Sequence, residues 1–261
     1  MIKALYTSAT GMKGQQTHID VIANNLANMN TTGFKRSRVD FQDLLYDDKV
    51  TPGTQSMEGV EIPTGLQIGS GVMPVSTTKI FSTGTPEQTD RPLDMCIKGD
   101  GFFPVSAGDT VAYTRDGSFR LNSSRQLCTS EGYTVYPGVT LPSDAVTFHV
   151  GHDGVITSVR ADGSTAEAGR VTLATFPNPS GLRALGGNLF APSAASGTAT
   201  QGITPGLSGT GELQQGFLER SNVDVIVELV AMITAQRAYE VNARAIRSTD
   251  DMLAATNNIT R

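Results

Sequence analysis

The side chains of this chain that could support catalysis are few and poorly spaced. His149 and His152 are the only two histidines close together, and at three residues apart on a strand they would point to opposite faces, which does not suit metal binding. Lys98-Gly99-Asp100-Gly101 lacks the rest of a phosphate-binding loop and is more typical of a hairpin turn. No Gly-x-Ser-x-Gly elbow is present, and the acidic residues are too scattered to nominate a catalytic pair. The residues therefore favour a non-enzymatic protein, with a secreted cell-wall hydrolase as the enzyme alternative.

The amino-acid composition limits which kinds of molecule the protein is expected to bind. The 261 residues leave room for two modest domains and a buried core. The chain carries 20 Lys+Arg against 25 Asp+Glu, and the basic residues are scattered, so nucleic acid is not an expected partner. Charged residues make up 17% of the chain, below the usual quarter. This balance suits a protein whose surface is covered by neighbours or one that works outside the cell, and composition alone does not separate the two.

The cysteines and the first ten residues indicate in which cellular compartment the protein works. Cys96 and Cys128 lie in strand-like segments, which favours two free buried thiols, with a disulfide as the alternative. The first ten residues hold no apolar run of signal-peptide length and no cleavage site. The most apolar window, Val225 to Ile233, contains Glu228 and is about half of the ~20 residues that a transmembrane helix needs. We therefore expect no cleaved signal peptide and no membrane insertion.

Two helices with heptad patterns, one at each end, organise the chain. From Val225, seam residues recur at alternating steps of four and three, which predicts a helix pressed lengthwise against another helix, with Asp224 as its N-cap. Ile226, Val230 and Ile233 add a second apolar line, as in helices that are buried on all sides. The seam consists of Val225, Leu229, Met232, Gln236, Tyr239, Ala243, Ile246, Asp250, Leu253 and Asn257.

The first helix should run from about Lys3 to Asn28 and repeats the pattern. Asn24, Asn25 and Asn28 are poor interior helix residues, so they either satisfy a fraying C-terminus or interlock with neighbouring subunits. Its seam consists of Ile2, Leu5, Ala9, Met12, Gln16, Ile19, Ala23 and Leu26.

One helix cannot cover another on every side, so we expect the two ends to pack together and against other copies of the chain. Subunits that meet through different patches, with a rotation that does not close, form a helical filament or tube. The predicted assembly interface comprises Leu5, Met12, Gln16, Ile19, Asn24, Asn25, Leu26 and Asn28 from the first helix and Val225, Leu229, Met232, Ile233, Gln236, Tyr239, Ile246 and Leu253 from the last.

The residues between the two helices differ in composition and predicted structure from one stretch to the next. The basic run Lys35–Arg38 is more typical of a solvated turn than of a site for an anionic partner. Residues 47–71 are loop-like and too long for a loop inside a compact domain, which indicates an extended arm lying on something else. From Val72 to about Ala191, short β-branched and aromatic runs predict antiparallel strands, and residues 192–216 a low-complexity return connection. Hairpin turns are predicted at Asp100-Gly101, Asp116-Gly117, Asp153-Gly154 and Asp162-Gly163.

The predicted fold class is therefore α+β and multi-domain, with N- and C-terminal helices pairing as a coiled coil, an all-β antiparallel domain and an extended arm. Residues 1–30 and 222–261 should form a discontinuous helical assembly domain. Residues 31–71 and 192–221 should form the arm and connector, and residues 72–191 the all-β outer domain.

Three parts of the sequence are similar to signatures of one family. Residues 23–28 (Ala-Asn-Asn-Leu-Ala-Asn), followed by Thr32-Gly33-Phe34-Lys35, resemble the N-terminal signature of bacterial flagellar rod and hook proteins. Residues 97–103 and 113–119 are similar to the family's shared β-domain, and residues 215–224 and 236–240 to its C-terminal signature. The arm resembles that of the distal-rod members, with Asp43-Leu44-Leu45-Tyr46 and the run from Gly65 to Val72 in the expected order. The resemblance covers nearly the whole chain, and only the two cysteines and the composition of residues 76–94 depart from it.

The resemblance implies a structural subunit without enzymatic activity or cofactor, which polymerises into the rigid helical tube of the flagellar distal rod and transmits torque from motor to hook. The implied partners are other copies of the chain, the proximal rod proteins, the hook protein, the bushing of L and P rings and the flagellar type III export apparatus. The implied location is the basal body, as a periplasmic rod reaching toward the outer membrane. In the family the terminal helices line the tube interior and the β-domain faces outward. A proximal rod or hook subunit is the alternative within the family.

Overall fold

A computed structural model describes residues 2–52, 55–57, 60–61, 64–108, 110–207 and 209–259. Two long helices, α1 (Ile2–Ala27) and α2 (Val225–Ile259), lie at the two ends of the chain, which confirms that part of the predicted fold. The described segments between them form strands, turns and a short 3-10 helix at Pro179–Gly181. Within the described residues, neither helix is long and apolar enough to cross a membrane.

The strands are short, as predicted, and their pairing is antiparallel wherever the register is defined. They are β1 (Ser37–Asp43), β2 (Tyr46–Val50), β3 (Gln55–Met57), β4 (Val60–Glu61), β5 (Leu66–Gly69), β6 (Val72–Lys79), β7 (Pro86–Gln88), β8 (Met95–Lys98), β9 (Phe103–Ala107), β10 (Thr110–Thr114), β11 (Arg120–Leu121), β12 (Leu127–Cys128), β13 (Thr134–Val135), β14 (Ala145–Val150), β15 (Val155–Arg160), β16 (Thr165–Arg170), β17 (Leu173–Thr175), β18 (Arg183–Gly186), β19 (Leu189–Ala191), β20 (Thr200–Ile203), β21 (Glu212–Gln215) and β22 (Phe217–Glu219).

The chain divides into two compact units. The helical unit contains Met1–Leu26, Ser37–Thr78 and Asp224–Arg261, and the β unit contains Ala27–Arg36 and Lys79–Val223. The helical unit therefore joins both helices with strands from the arm, while the short segment that follows α1 belongs to the β unit.

The arm of the helical unit is built from strand pairs. β1 lies beside β6, and β2 pairs with β5, with Tyr46 opposite Gly69. The expectation that residues 47–71 lack regular structure is therefore wrong for the described part of the arm. The sequence pattern was not informative because both faces of β2 and β5 are largely exposed, so neither period-two alternation nor an apolar run develops.

The β unit is organised around a seven-stranded sheet in the order β11-β12-β13-β9-β10-β19-β18. Its larger core cluster includes Phe103 and Phe119, whose rings meet edge to face with centroids 5.0 Å apart, together with Val105 and Leu127, all with no exposed surface. A smaller cluster of Phe102, Tyr113, Phe176 and Phe190 packs aromatic rings in the same edge-to-face way. The predicted antiparallel β-domain is thus confirmed.

Only two of the four predicted hairpin turns join paired neighbours. Asp153-Gly154 links β14 to β15, and Asp162-Gly163 links β15 to β16, with both glycines at positive φ. Asp100-Gly101 and Asp116-Gly117 instead lead from one strand pair to another, because β8 pairs with β21 and β11 with β12. The predicted return connection is also partly regular, since β20 and β21 complete pairs with β17 and β8.

Candidate assembly site

The inner line of α2 consists of small and polar residues at intervals of seven. Glu228, Ala235 and Thr249 are buried, with 1%, 3% and 6% of their surface exposed. The fourth member of the line, Asn242, packs against α1: a Cβ built on Gly11 would lie 2.9 Å from Asn242 Nδ2. A side chain at position 11 would therefore require the Asn242 amide to shift, so Gly11 leaves room for the Asn242 side chain against α1.

Two contacts define how α1 and α2 run. Asn25 of α1 donates to Glu228 Oε2 at 3.3 Å, and Gly11 faces Asn242. Between these contacts both helices advance by fourteen residues in opposite directions, about 21 Å of helix. The helices are therefore antiparallel, and a single register accounts for both contacts. Their pairing as a knobs-into-holes coiled coil stays a prediction.

Five of the nine described seam positions of α2 are half-buried, namely Val225, Met232, Ala243, Ile246 and Leu253. The other four, Leu229, Gln236, Tyr239 and Asp250, are exposed. Beside Leu229 and Gln236, the buried residues are their neighbours Glu228 and Ala235. The side chain of Asn257 lies outside the described part of the chain.

A broad apolar face of α2 is left uncovered by this pairing. Ile226, Leu229, Val230, Ile233 and Val241 have 74%, 43%, 57%, 57% and 62% of their surface exposed, and we call them the outer face. Isolated exposed apolar residues are common in monomers, but five on one helix form a surface that favours a partner.

The predicted interface residues fall into three groups. Asn25 is buried. Gln16, Asn24, Leu229, Ile233, Gln236 and Tyr239 are exposed, and Leu5, Met12, Ile19, Leu26, Asn28, Val225, Met232, Ile246 and Leu253 are half-buried.

The structure contradicts the expectation that Asn25 contacts a neighbouring subunit. Its Nδ2 donates to the Ser37 carbonyl at 2.8 Å, and its Oδ1 accepts from the Ser37 amide at 2.9 Å. With Glu228 as a third partner, Asn25 has satisfied its hydrogen-bonding groups inside the chain. It neither frays nor points outward, and its role is to hold the start of β1 against α1.

The arm also packs on α1. A Cβ on Gly14 would lie 3.3 Å from the Phe41 ring, which meets His18 edge to face at 5.9 Å. Lys3 Nζ donates to Asp47 Oδ2 at 3.1 Å and to the Ile68 carbonyl at 3.0 Å. The hydrogen bonds from Lys49 and Lys3 lower the pKa of Asp47, although an ion pair this exposed contributes little to stability.

The β unit contains a buried ion cluster in which the three signature segments meet. Lys35 Nζ lies 2.6 Å from Glu219 Oε1, and Arg115 Nη1 lies 3.4 Å from Glu219 Oε2. At most 1% of the surface of any of these three side chains is exposed. Lys35 was expected on a solvated turn, and that expectation is wrong, because the folded chain brings Glu219 to it from 184 residues away.

Burial governs the electrostatics of this cluster. Burial lowers the pKa of Lys35 below its ordinary value and outweighs Glu219, which acts in the opposite direction. Burial likewise lowers the pKa of Arg115, whose Nε has no hydrogen-bond partner among the described residues. Removing one member of a buried ion pair typically costs 3–5 kcal/mol, because the remaining charge stays desolvated.

Further bonds fix the same segments to the sheet. The Gly33 amide donates to the Glu219 carbonyl at 2.8 Å, and the Gly84 amide donates to Glu219 Oε1 at 2.8 Å. Asn222 accepts from the Arg36 amide at 2.8 Å and donates to the Ile80 carbonyl at 2.8 Å. The residues on either side of the cluster are therefore bound through backbone as well as side chains.

The cysteines are both free and buried, which decides between the two alternatives. Burial raises the pKa of the Cys96 thiol to about 11, so the reactive thiolate is scarce at neutral pH. His152 Nδ1 lies 2.9 Å from the Leu213 carbonyl oxygen, a structural contact between strand segments.

Comparison with known protein families gives three matches along the chain. The family described as "Flagella basal body rod protein" matches residues 5–35. The "Flagellar hook protein FlgE/F/G D1 domain" matches residues 96–158, and the "Flagellar basal body rod FlgEFG protein C-terminal" family matches residues 214–259. The matched segments include the three residues of the ion cluster as well as most of both helices.

Individual relatives align over nearly the whole chain. The flagellar basal-body rod protein FlgG of Buchnera aphidicola (Schizaphis graminum) is 47% identical over 97% of this chain and 98% of its own length. FlgG of Borreliella burgdorferi is 45% identical over the full length of both chains, and FlgG of Bacillus subtilis is 40% identical, also over both full lengths.

Proposed function

The chain belongs to the family of flagellar basal-body rod proteins, and we propose that it is a structural subunit of the flagellar distal rod. In this role it polymerises into a rigid helical tube that transmits torque from the motor to the hook. The observation that carries the proposal is the uncovered apolar outer face of α2 in a chain whose relatives are named rod proteins.

The outer face supports association energetically. Full burial of a Val, Leu or Ile is worth roughly 1.5–3 kcal/mol, so covering the exposed fraction of its five residues is worth about 4–9 kcal/mol per helix. Association costs an estimated 4–15 kcal/mol in lost translational and rotational freedom. The two amounts are similar, so several such contacts per subunit are needed, as a helical lattice provides.

The assembly and export partners follow from the same proposal. A distal rod subunit binds other copies of itself, the proximal rod proteins below and the hook protein above, and it turns within the bushing of L and P rings. It reaches the periplasm through the flagellar type III export apparatus. The division into a helical assembly domain, an arm with connector and an outer β-domain is part of this proposal.

We expect Ile233→Glu to abolish polymerisation of the purified protein, because a carboxylate in the middle of the outer face would be buried without a partner. The change should leave the subunit folded, since Ile233 is 57% exposed. Polymer is measured by sedimentation and negative-stain electron microscopy, and folding by circular dichroism.

Val146→Glu is the matched control, because Val146 is an apolar residue of similar exposure, 66%, on a strand of the β unit. It should polymerise like the unmodified protein. Normal tubes from Ile233→Glu would contradict the role of the outer face.

A further inference from the structure

Glu219 binds more of the β unit than an ordinary buried carboxylate does. Its side chain accepts from Lys35, Arg115 and the Gly84 amide, and its carbonyl oxygen accepts from the Gly33 amide. One residue therefore ties together the segment that follows α1, the segment that precedes α2 and the body of the β unit.

The position of the cluster in the chain is as informative as its bonds. Lys35 lies eight residues after Ala27, the last residue of α1, and Glu219 lies six residues before Val225, the first residue of α2. Both belong to the β unit. The Lys35–Glu219 bond thus joins the segment that follows α1 to the segment that precedes α2.

The composition of the cluster argues against a purely stabilising role. Two cations share one carboxylate, and Asp100 is the other acidic group that attracts Arg115. Such a buried arrangement is often no more stabilising than apolar residues of the same volume. Its distinctive property is geometric, because a carboxylate that accepts from several fixed donors satisfies them in one arrangement only.

We propose that Glu219 is a positioning residue for polymerisation, which acts by holding the segments that carry α1 and α2 on the β unit. The inference rests on the proposed function as a polymerising rod subunit. With the cluster intact, these segments are ordered before association. Without it, these segments are held less firmly, by bonds such as those of the Gly33 amide and Asn222, so each subunit has more order to gain when it joins the polymer, and this ordering opposes assembly.

The test compares critical concentrations of polymerisation, measured by sedimentation of full-length protein over a concentration series. Glu219→Gln keeps the size of the side chain and removes the charge that pairs with Lys35 and Arg115. We expect its critical concentration to rise at least tenfold. Glu87→Gln is the matched control, because Glu87 lies on β7, the strand paired with β22, and its ion pair with Arg220 is exposed. It should polymerise like the unmodified protein.

Two further measurements separate positioning from stability. Ile156→Val trims a buried apolar side chain on β15 and leaves the three charged residues of the cluster unchanged, so it should not change the critical concentration. In a Cys128→Ser background, alkylation of Cys96 at neutral pH reports opening near the cluster, since Cys96 lies opposite Gln214 of β21 and interacts electrostatically with all three charged residues. We expect faster alkylation in Glu219→Gln than in Ile156→Val.

Each outcome decides the proposal. A folded Glu219→Gln protein that polymerises normally overturns the positioning role. If Glu219→Gln does not fold, Lys35→Met decides, because it leaves a one-to-one Arg115–Glu219 pair and removes the bonds of Lys35 to Glu219 and to the Ser82 carbonyl. Normal polymerisation of Lys35→Met, or failure of both variants to fold, overturns the proposal. Failure of the unmodified protein to polymerise overturns the proposed function instead.

Discussion

Gly33→Ala is expected to lower the free energy of unfolding of the β unit by roughly 2–5 kcal/mol. Gly33 has a φ of +69°, which costs an alanine about 1–2 kcal/mol. A Cβ at this position would also lie 2.6 Å from the Asp116 amide nitrogen and 2.7 Å from the Arg115 carbonyl carbon. Both are backbone atoms next to the ion cluster, so relief requires a shift of the chain, typically another 1–3 kcal/mol.

Gly108→Ala is a close control for this prediction. Gly108 has the same φ of +69°, but a Cβ there would meet nothing within 4 Å. It should cost only about 1–2 kcal/mol, the conformational part of the effect. Urea unfolding followed by circular dichroism measures both variants. Equal losses would show that the close approach of Gly33 to residues 115–116 does not contribute.

The prediction of the helices from sequence succeeded because their signals are local. Heptad spacing and the Asp224 cap suffice, and Asp224 Oδ1 accepts from the Ile226 amide at 2.9 Å and the Val227 amide at 3.2 Å. The same signal does not identify which side of α2 packs inside the chain, because heptad spacing does not distinguish contact within a chain from contact with another copy. In α2 the line of Glu228, Ala235 and Thr249 is buried, and the apolar outer face is exposed.

Local sequence patterns did not predict the ion cluster. Lys35 stands beside Arg36, and a basic run of this kind is usually solvated. Only the folded chain shows that a glutamate and an arginine, each distant in sequence, close around it. A signal was nevertheless present, since all three residues lie in the segments that resemble the family signatures, and a charged residue within such a segment is a candidate for a buried pair.

Removal of Val225–Arg261 is expected to abolish polymerisation completely and to leave the β unit folded. The deletion takes away the whole outer face and also the partners of Gly11 and Asn25 on α1. The β unit ends at Val223, so its two core clusters and the Lys35–Glu219 bond are retained. Sedimentation measures the polymer, and urea unfolding with near-ultraviolet circular dichroism measures the packing of Phe103 and Tyr113.

The deletion separates the two roles that the sequence assigns to different parts of the chain. If the outer face drives association, the truncated protein stays monomeric at every concentration tested and does not join tubes of the full-length chain. If tubes still form, contacts of the β unit or the arm must supply the association energy instead. If the β unit unfolds, its stability depends on α2, and the division into two compact units does not describe independently folding parts.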